Sequence, residues 1–238
     1  MKIVKKKNIY PGWELKYFDK ANHFRNYQYN LLKKLIVGSV AEVGPGNGVL
    51  VKKYKSNVNK LYLYEPSLNL YKVLKKKFSN NKNIFIKNDY FQNIKKKFDT
   101  ILFLDVIEHI EDDVKIINTA IKSLKKNGKI VINVPAFKFL FSNFDKDVGH
   151  FRRYNAYDIN RLRDDLINKK QIKIYYYYYD CIGFFLSFIN KILNGKNYKK
   201  LFKYKISMWN NLIWLTKLLD FLFFYKFGKS MFIVITKK

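Results

Sequence analysis

Three alternating glycines occupy the stretch VAEVGPGNGVL, at residues 40–50, between a predicted strand and a predicted helix. Gly44, Gly46 and Gly48 follow an acid, Glu42, that lies at the end of the strand. Glycine is needed where the backbone turns tightly or approaches a ligand closely, because a Cβ atom would obstruct both. A loop of this kind at the carboxyl edge of an α/β sheet is typical of a nucleotide-cofactor site.

The loop departs from two common phosphate-binding patterns. A dinucleotide fingerprint needs a third glycine where Val49 stands, and a P-loop needs Lys-Ser/Thr after its last glycine, where this chain has Val49-Leu50. The acid Glu42 is an unusual neighbour for a pyrophosphate. It suits a cofactor that has a cationic end.

From about residue 38, short apolar runs alternate with amphipathic segments, which predicts a parallel α/β sheet. Residues 101–104 are continuously apolar, as expected of a strand that is buried on both faces. The predicted strands are residues 39–43, 60–64, 84–87, 100–104, 129–134, 171–178 and 230–236. The predicted helices are residues 50–55, 68–78, 114–124 and 156–167, and Asn127-Gly128 predicts a turn before the fifth strand.

We expect a single domain, since no repeat or Ser/Pro-rich linker divides the chain. Residues 1–37 form a predicted helical lead-in, and residues 38–180 form the cofactor-binding core. Residues 181–228 are a predicted helical insertion, with two apolar-faced helices around a polar loop at residues 192–205, that covers the substrate. Residues 229–238 supply the last strand of the core.

Polar residues follow the next predicted strands at the same edge. They are Glu65 with Pro66, the triplet Asn88-Asp89-Tyr90, and Asp105 with Val106. A carboxylate at Glu65 can accept both hydroxyls of a ribose, and one at Asp89 can accept an adenine amino group. Taken singly, Asp89 also fits a turn and Asp105 a helix cap. Together with Glu42, they predict one site, because the carboxyl ends of parallel strands meet at one edge.

With these residues in place, the chain resembles the class I S-adenosylmethionine-dependent methyltransferases over about residues 20 to 238. The resemblance implies an α/β, Rossmann-like sheet of seven strands in the order 3-2-1-4-5-7-6. Strand 7 would be antiparallel, with helices on both faces and the helical insertion before it.

The same resemblance implies S-adenosyl-L-methionine as cofactor and gives roles to the residues of the sheet edge. Glu65 would bind the ribose hydroxyls, Asp89 with Tyr90 would frame the adenine, and Asp105 would lie beneath the cofactor near the transferred methyl. The residues expected to bind the cofactor are Glu42, Gly44, Pro45, Gly46, Gly48, Glu65, Pro66, Asn88, Asp89, Tyr90, Asp105 and Val106.

A second segment, FSNFDKDVGHFRRY, resembles the segment that follows strand five in a subset of these enzymes. On that resemblance, His150 and Tyr154 face the acceptor or order its pocket. Of Arg152 and Arg153, one binds an anionic group or Asp145 and the other is solvated. The segment can equally be a packed loop that is tied by an Arg–Asp pair.

An acceptor hydroxyl or ammonium requires a base, for which His150 and His109 are the candidates and His23 a weaker one. No metal site is predicted, because the histidine of the second segment has no partner ligand at a recognisable spacing. The expected function is in-line methyl transfer to a small-molecule or amphiphilic acceptor, with an anionic, cell-envelope or lipid-linked molecule among the candidates.

The chain carries 47 Lys+Arg against 18 Asp+Glu, a formal net charge of +29. Such a charge favours acidic partners, although the wide scatter of the lysines also fits a coding bias toward A/T-rich codons. A nucleic-acid methyltransferase is the first alternative. It is disfavoured because Asp105-Val106-Ile107-Glu108 stands where amino-methylating enzymes of nucleic acids carry Asp/Asn-Pro-Pro-aromatic.

A non-catalytic membrane-surface binder is the alternative of another class. Lysines and aromatic side chains interleave in residues 191–228, as suits an anionic membrane surface. The single cysteine, Cys181, excludes an internal disulfide and a Cys-based zinc cluster. The apolar runs are short or interrupted by charge, so we expect a cytoplasmic protein that can lie peripherally at the inner membrane face; the oligomeric state stays open.

Overall fold

The computed structural model describes residues 9–167, 169–192 and 198–238. Its seven strands are β1 (Ser39–Val43), β2 (Lys60–Tyr64), β3 (Ile84–Lys87), β4 (Phe98–Leu104), β5 (Leu124–Pro135), β6 (Ile172–Tyr179) and β7 (Ser230–Lys237). The helices before β5 are α1 (Leu15–Phe18), α2 (Asn22–Leu32), α3 (Val51–Tyr54), α4 (Leu68–Phe78) and α5 (Asp113–Lys122). Those after it are α6 (Asn143–Val148), α7 (Ala156–Asp165), α8 (Cys181–Ile192), α9 (Tyr198–Asn211) and α10 (Ile213–Leu222).

The strands form one sheet in the order β3-β2-β1-β4-β5-β7-β6. The neighbours from β3 to β5 pair in parallel, and β7 runs antiparallel to both β5 and β6. The predicted fold class is therefore confirmed, including the direction of the last strand.

Two apolar layers cover the faces of the sheet, because successive strand residues point to opposite sides. Ile101 and Phe103 of β4 belong to one layer, into which α5 inserts Ile117. Leu102 belongs to the other layer, with Phe78 of α4. Buried strands with helices on both faces are what the unbroken apolar run of residues 101–104 predicts.

The predicted start of the fifth strand is wrong. β5 begins at Leu124, ahead of Asn127-Gly128, and Asn127 has a positive φ of 60°. The pairing with β4 changes register at Phe98/Thr100, so the predicted turn is an irregularity within the strand.

The insertion also differs from its prediction, because it contains three described helices and not two. Much of the predicted polar loop is the start of α9; residues 193–197 lie outside the described residues. In the sequence of α9, lysines alternate with an apolar stripe of Phe202, Ile206 and Trp209. The spacing of four and three residues places these three side chains on one helix face. Phe202 and Trp209 are buried. Across the described ranges, no helix is long and apolar enough to cross a bilayer.

Candidate active site

A cavity of about 820 Å³ opens at the carboxyl edge of the sheet, where β1, β2 and β4 end. The predicted cofactor residues in its wall are Glu42, Gly44, Pro45, Gly46, Glu65, Pro66, Tyr90, Asp105 and Val106. Three others, Gly48, Asn88 and Asp89, do not line it. The edge therefore assembles most of the predicted residues around one space.

The glycine loop forms a cradle whose open side faces this cavity. Gly44, Gly46 and Gly48 all have φ between 57° and 71°, a region that favours glycine. A Cβ on Gly44 would lie 2.9 Å from Val106, and one on Gly48 would lie 2.6 Å from Phe78. At Gly46 a Cβ would meet no atom within 4 Å, so it would project into open space. The loop thus leaves room for a ligand against its backbone, which fits the implied cofactor.

Glu65 lies in the wall of the cavity beside this loop. Its carboxylate accepts hydrogen bonds from the backbone amides of Ser67, at 2.9 Å, and of Gly46, at 3.3 Å. Burial raises the pKa of Glu65 to about 7, although both hydrogen bonds oppose the rise. The side chain is 4% exposed and is fixed where a ligand hydroxyl can reach it.

Glu42, at the end of β1, is a second buried acid in the wall. The hydroxyl of Tyr54 donates a hydrogen bond to it. Burial raises the pKa of Glu42 to about 7, and the Tyr54 hydrogen bond and the Arg25 charge act in the opposite direction. A cationic ligand nearby would favour the ionised form of this group.

Arg25 of α2 also lines the cavity, and the sequence analysis did not single it out. Its Nη1 donates to Gln28 at 2.8 Å and lies 3.8 Å from Asp105 Oδ2. Among the described residues, nothing accepts a hydrogen bond from its buried Nε. A guanidinium with spare donors at the cavity wall can bind a carboxylate. No motif marks Arg25, since α2 reads as an aromatic helix with scattered polar residues.

Asp105 is held by a chain of hydrogen bonds across the sheet. It has a positive φ of 60° directly after β4, and Asn133 of β5 donates to its carboxylate. Asn133 in turn accepts from the hydroxyl of Tyr179, at 2.9 Å, and Gln28 donates to that hydroxyl at 3.2 Å. The helix-cap alternative for Asp105 is wrong, because Asp112 caps α5.

The region after β3 places an aromatic pair at the far end of the cavity. Asn88 donates to the carbonyl oxygens of Glu65 and Pro66, at 2.9 and 3.1 Å, and so ties the ends of two strands together. Tyr90 is 54% exposed and lines the cavity together with the buried Phe91, which the sequence analysis did not include. These rings offer an apolar surface to a planar base.

The second segment folds back on a buried aspartate. Arg153 donates to both oxygens of Asp145, at 2.9 and 3.0 Å, and Ser142 caps α6 through the same carboxylate. Burial opposes ionisation of Asp145, but the hydrogen bond from His150 and the Arg153 charge hold its pKa well below its usual range. Gly149 ends α6 with a left-handed φ of 83°. The segment is thus a loop tied by the predicted Arg–Asp pair.

The rings of His150 and His109 lie edge to face, with centroids 4.6 Å apart. His150 donates from Nδ1 to Asp145, at 2.8 Å, and its Nε2 lies 4.0 Å from Glu108 Oε1. His109 lines the cavity, and burial together with His150 lowers its pKa to about 4. Burial and the Asp105 charge raise the pKa of Glu108 well above its usual range.

The predicted residues of this segment do not line the cavity; they are Asp145, His150, Arg152, Arg153 and Tyr154. Tyr154 is fully buried and donates to Asp113 at 2.9 Å, and burial with that acid raises its pKa. Arg152 is not solvated as predicted, because its guanidinium pairs with Asp113 at 2.9 Å and donates to the Glu111 carbonyl at 2.6 Å. His23 lies exposed on α2 and is not part of the wall.

A sheet of this order, with a glycine cradle and acids at its carboxyl edge, defines the Rossmann-like methyltransferase class. The sequence profile of the family described as "Methyltransferase domain" matches residues 16–173. The chain belongs to this family, as a class I methyltransferase whose cofactor is S-adenosylmethionine.

Solved methyltransferase structures share the fold at low sequence identity. A Haemonchus contortus phosphoethanolamine N-methyltransferase 2, in complex with S-adenosyl-L-methionine, is 15% identical with a TM-score of 0.60, over 94% of this chain and 57% of that one. A Thermotoga maritima S-adenosylmethionine-dependent methyltransferase is 15% identical, with a TM-score of 0.59 and 94% of each chain covered. One from Archaeoglobus fulgidus is 14% identical, with a TM-score of 0.57, over 95% and 98% of the two chains. No curated protein matches the sequence.

Proposed function

We propose that the protein transfers a methyl group from S-adenosylmethionine to a small-molecule or amphiphilic acceptor that enters the cavity beside His109. The observation that carries this proposal is the continuity of one cavity from the glycine cradle to that imidazole. The bound cofactor supplies a sulfonium methyl, and in-line displacement mainly requires alignment and exclusion of water.

At the cofactor end, the wall contains a side chain that can bind each part of S-adenosylmethionine. Arg25 binds the carboxylate of the methionine moiety through its spare donors. Glu65 accepts hydrogen bonds from the ribose hydroxyls. Tyr90 and Phe91 cover the adenine ring, which supports the placement of the sulfonium near Asp105 and Val106.

The lead-in segment, residues 1–37, contributes Tyr10 to the wall of the cavity. Tyr10 donates its backbone amide to Ser67 Oγ at 2.9 Å, and Asn69 donates to the Tyr10 carbonyl at 2.9 Å. The ring of Tyr10 stands edge-on to His109, with centroids 6.2 Å apart. This contact between the lead-in and the acceptor end supports the exclusion of water from the reacting groups.

His109 is the acceptor-side group that lines the cavity, and its lowered pKa keeps the imidazole neutral at physiological pH. A neutral imidazole can take a proton from an acceptor hydroxyl or ammonium during transfer. Arg152 and Arg153 are paired with Asp113 and Asp145, so neither arginine supports an anionic acceptor.

The test is an acceptor screen that detects formation of S-adenosylhomocysteine, with the wild type and His109→Ala compared on every hit. We expect turnover of the variant to fall at least about tenfold, with cofactor affinity retained. His23→Ala is the matched control and should turn over normally. Cofactor binding without turnover on any amphiphilic or small acceptor would contradict the assignment of this acceptor class.

An exposed apolar face on the insertion favours an amphiphilic acceptor that is presented at an anionic membrane. On α10 the exposed side chains are Trp214, Leu218, Phe221 and Leu222, followed by Phe223 and Phe224, and on α8 they are Phe185, Phe188, Ile189 and Ile192. Phe227 joins the two sets, because its ring contacts Phe185 and Phe223. Contiguous exposed rings of this extent mark a binding surface.

The charge around this face complements an anionic bilayer. Lys217 and Lys226 are exposed beside the rings, whereas Asp220, the one acid of residues 181–228, is fully buried. Basic side chains beside apolar ones bind anionic lipid surfaces through both contributions. Phe221→Ser/Phe224→Ser should therefore reduce sedimentation with phosphatidylglycerol-containing liposomes.

Phosphatidylcholine liposomes and a Lys75→Ser/Lys76→Ser variant, which alters charge away from this face, are the controls. Equal sedimentation of the two double variants would contradict the assignment of the face. Gel-shift binding to RNA at physiological salt, unaffected by the phenylalanine changes, would instead favour a nucleic-acid partner.

A further inference from the structure

Three potential metal ligands from two separate segments converge beside the cavity, and one of them, His109, lines it. One ligand atom from each of Glu108, His109 and His150 lies within 4.8 Å of the others. Backbone contacts hold the two segments together: Phe151 N–H donates to the Glu108 carbonyl at 2.7 Å, and His109 Nδ1 lies 3.2 Å from the Gly149 carbonyl. Only Glu108 and His109 are neighbours in the sequence, and the fold brings His150 to them.

Hydrogen bonds fix the same tautomer in both imidazoles. A carbonyl oxygen only accepts, so the contact with Gly149 places a hydrogen on His109 Nδ1. The contact of His150 Nδ1 with the Asp145 carboxylate, at 2.8 Å, does the same there. In the neutral rings, each Nε2 then carries a free lone pair, the form in which histidine binds metals.

Glu108 provides an independent sign that a cation belongs here. Its side chain is 1% exposed, and in the described part of the chain no group donates a hydrogen bond to its Oε2. No described lysine or arginine forms an ion pair with it; only His150 lies within ion-pair distance. A buried carboxylate oxygen without a donor is costly, and a bound cation would satisfy it.

A charged partner lies behind one ligand, as is usual for metal-bound histidines. Asp145 accepts from His150 Nδ1 and is itself held by Arg153, so it orients the ring and keeps Nε2 directed at Glu108. The 4.0 Å between Nε2 and Glu108 Oε1 is close to the ligand separation of about 3.4 Å that two bonds of about 2.1 Å define at a tetrahedral ion. A small side-chain rotation would close the site.

We propose that Glu108, His109 and His150 bind one divalent first-row transition-metal ion, such as Zn²⁺ or Co²⁺, at the point where His109 meets the cavity. Two imidazoles and one carboxylate favour these ions over Mg²⁺ or Ca²⁺, which prefer oxygen ligands. Three protein ligands leave coordination positions open, as in catalytic rather than structural zinc sites. With the ion bound, His109 Nε2 is a ligand and no longer a base, and the ion would instead polarise an acceptor oxygen at an open position. That assignment rests on the proposed function; the binding of the ion does not.

The test uses the untagged full chain, stripped with a chelator and titrated with Co²⁺ while its visible absorption is recorded, and with Zn²⁺ by calorimetry. We expect one equivalent to bind. His150→Ala and the nearly isosteric Glu108→Gln should each weaken binding at least about tenfold, since each removes one of three ligands. His23→Ala, which removes the exposed histidine, should bind like the wild type.

Absence of saturable binding, or binding that both ligand variants retain, would overturn the proposal. S-adenosylmethionine is titrated into the same preparations. Cofactor binding without metal binding would reject the metal site and leave the proposed function standing. Metal binding without cofactor binding would keep the site and reject that function.

Discussion

Two buried carboxyls, those of Glu42 and Glu65, lie in the wall of the cavity. Burial brings the pKa of each to about 7, so both are poised between the neutral and ionised forms near physiological pH. A sulfonium or an ammonium in the cavity would favour ionisation, and the Arg25 guanidinium offsets part of the negative charge. Recognition of a ligand that carries both signs follows from this pairing.

Glu42 should therefore make the stability of the free protein depend on pH. Its pKa is raised from 4.5 to about 7, so its contribution to the free energy of unfolding is complete below pH 4.5 and is lost as pH rises through 7. Between about pH 5 and pH 8, urea unfolding of the wild type should lose on the order of 1–3 kcal/mol more than Glu42→Gln. Glu111→Gln, at an exposed acid, is the control. Identical pH profiles for the wild type and Glu42→Gln would contradict this account.

Arg25 gives a second prediction at this scale. Arg25→Ala should weaken S-adenosylmethionine binding by about tenfold or more in calorimetry, because a charge-assisted hydrogen bond contributes about 1.5–3 kcal/mol. Arg25→Lys should recover part of the affinity, and Arg163→Ala, on the exposed face of α7, should not change it. If Arg25→Ala folds and binds as the wild type does, the carboxylate of the cofactor lies elsewhere.

Among the elements, the short helix α6 and the turn after it depend on one buried ion pair. Asp145→Asn should lower the free energy of unfolding by about 3 kcal/mol, since it leaves the Arg153 guanidinium buried with a weaker partner. Asp147→Asn, on the same helix but in a half-exposed pair with Lys199, should cost under about 1 kcal/mol. Urea unfolding measures both, and equal losses would show that the pair with Arg153 does not hold the segment.

The elements also show what the sequence can predict and why. Strands β1, β2 and β3 match their predicted bounds, because short, mainly apolar runs with turn residues between them are typical of strands. The first part of helix α9 reads as a loop in the sequence, since the lysines of this helix outnumber its apolar residues that face the core. The start of β5 was missed because a register irregularity absorbs Asn127-Gly128 within the strand.

The residues of the site also form two groups, those that the sequence predicts and those that it does not. The glycine cradle and the acid at Glu65 belong to contiguous motifs, so the sequence places them. Arg25 and the pairing of His150 with Glu108 depend on contacts between segments far apart in the chain, and no local pattern marks such contacts. Tyr154 was predicted beside the acceptor because the motif groups it with His150, yet its ring turns inward to Asp113.

Across the whole molecule, basic residues lie mainly at the surface and most of the buried charged residues are acids. The surface carries the lysines behind the net charge of +29, whereas the buried Asp, Glu, Lys and Arg residues of the described ranges are nine acids and a single base, Arg153. Acids thus outnumber bases among the buried residues, the reverse of the whole chain. Anionic partners are attracted to the surface, and a cationic sulfonium is favoured inside.

Salt should separate these two kinds of binding. Raising NaCl from about 50 mM to about 500 mM should abolish sedimentation with anionic liposomes, because exposed charges are screened within a few ångströms at high salt. The affinity for S-adenosylmethionine should change less than about twofold, since its contacts are buried. A parallel loss of both would place the cofactor on the surface rather than in the cavity.

The most direct test of the central claim is a calorimetric titration of the full chain with S-adenosylmethionine and with S-adenosylhomocysteine, in the wild type and in Gly46→Val. We predict saturable binding of both forms to the wild type with one site per chain. Binding to Gly46→Val should be lost, because the new side chain would fill the cradle, and the variant's thermal unfolding checks that it still folds. A wild-type chain that binds neither form, or a folded Gly46→Val that binds them equally well, would contradict the account.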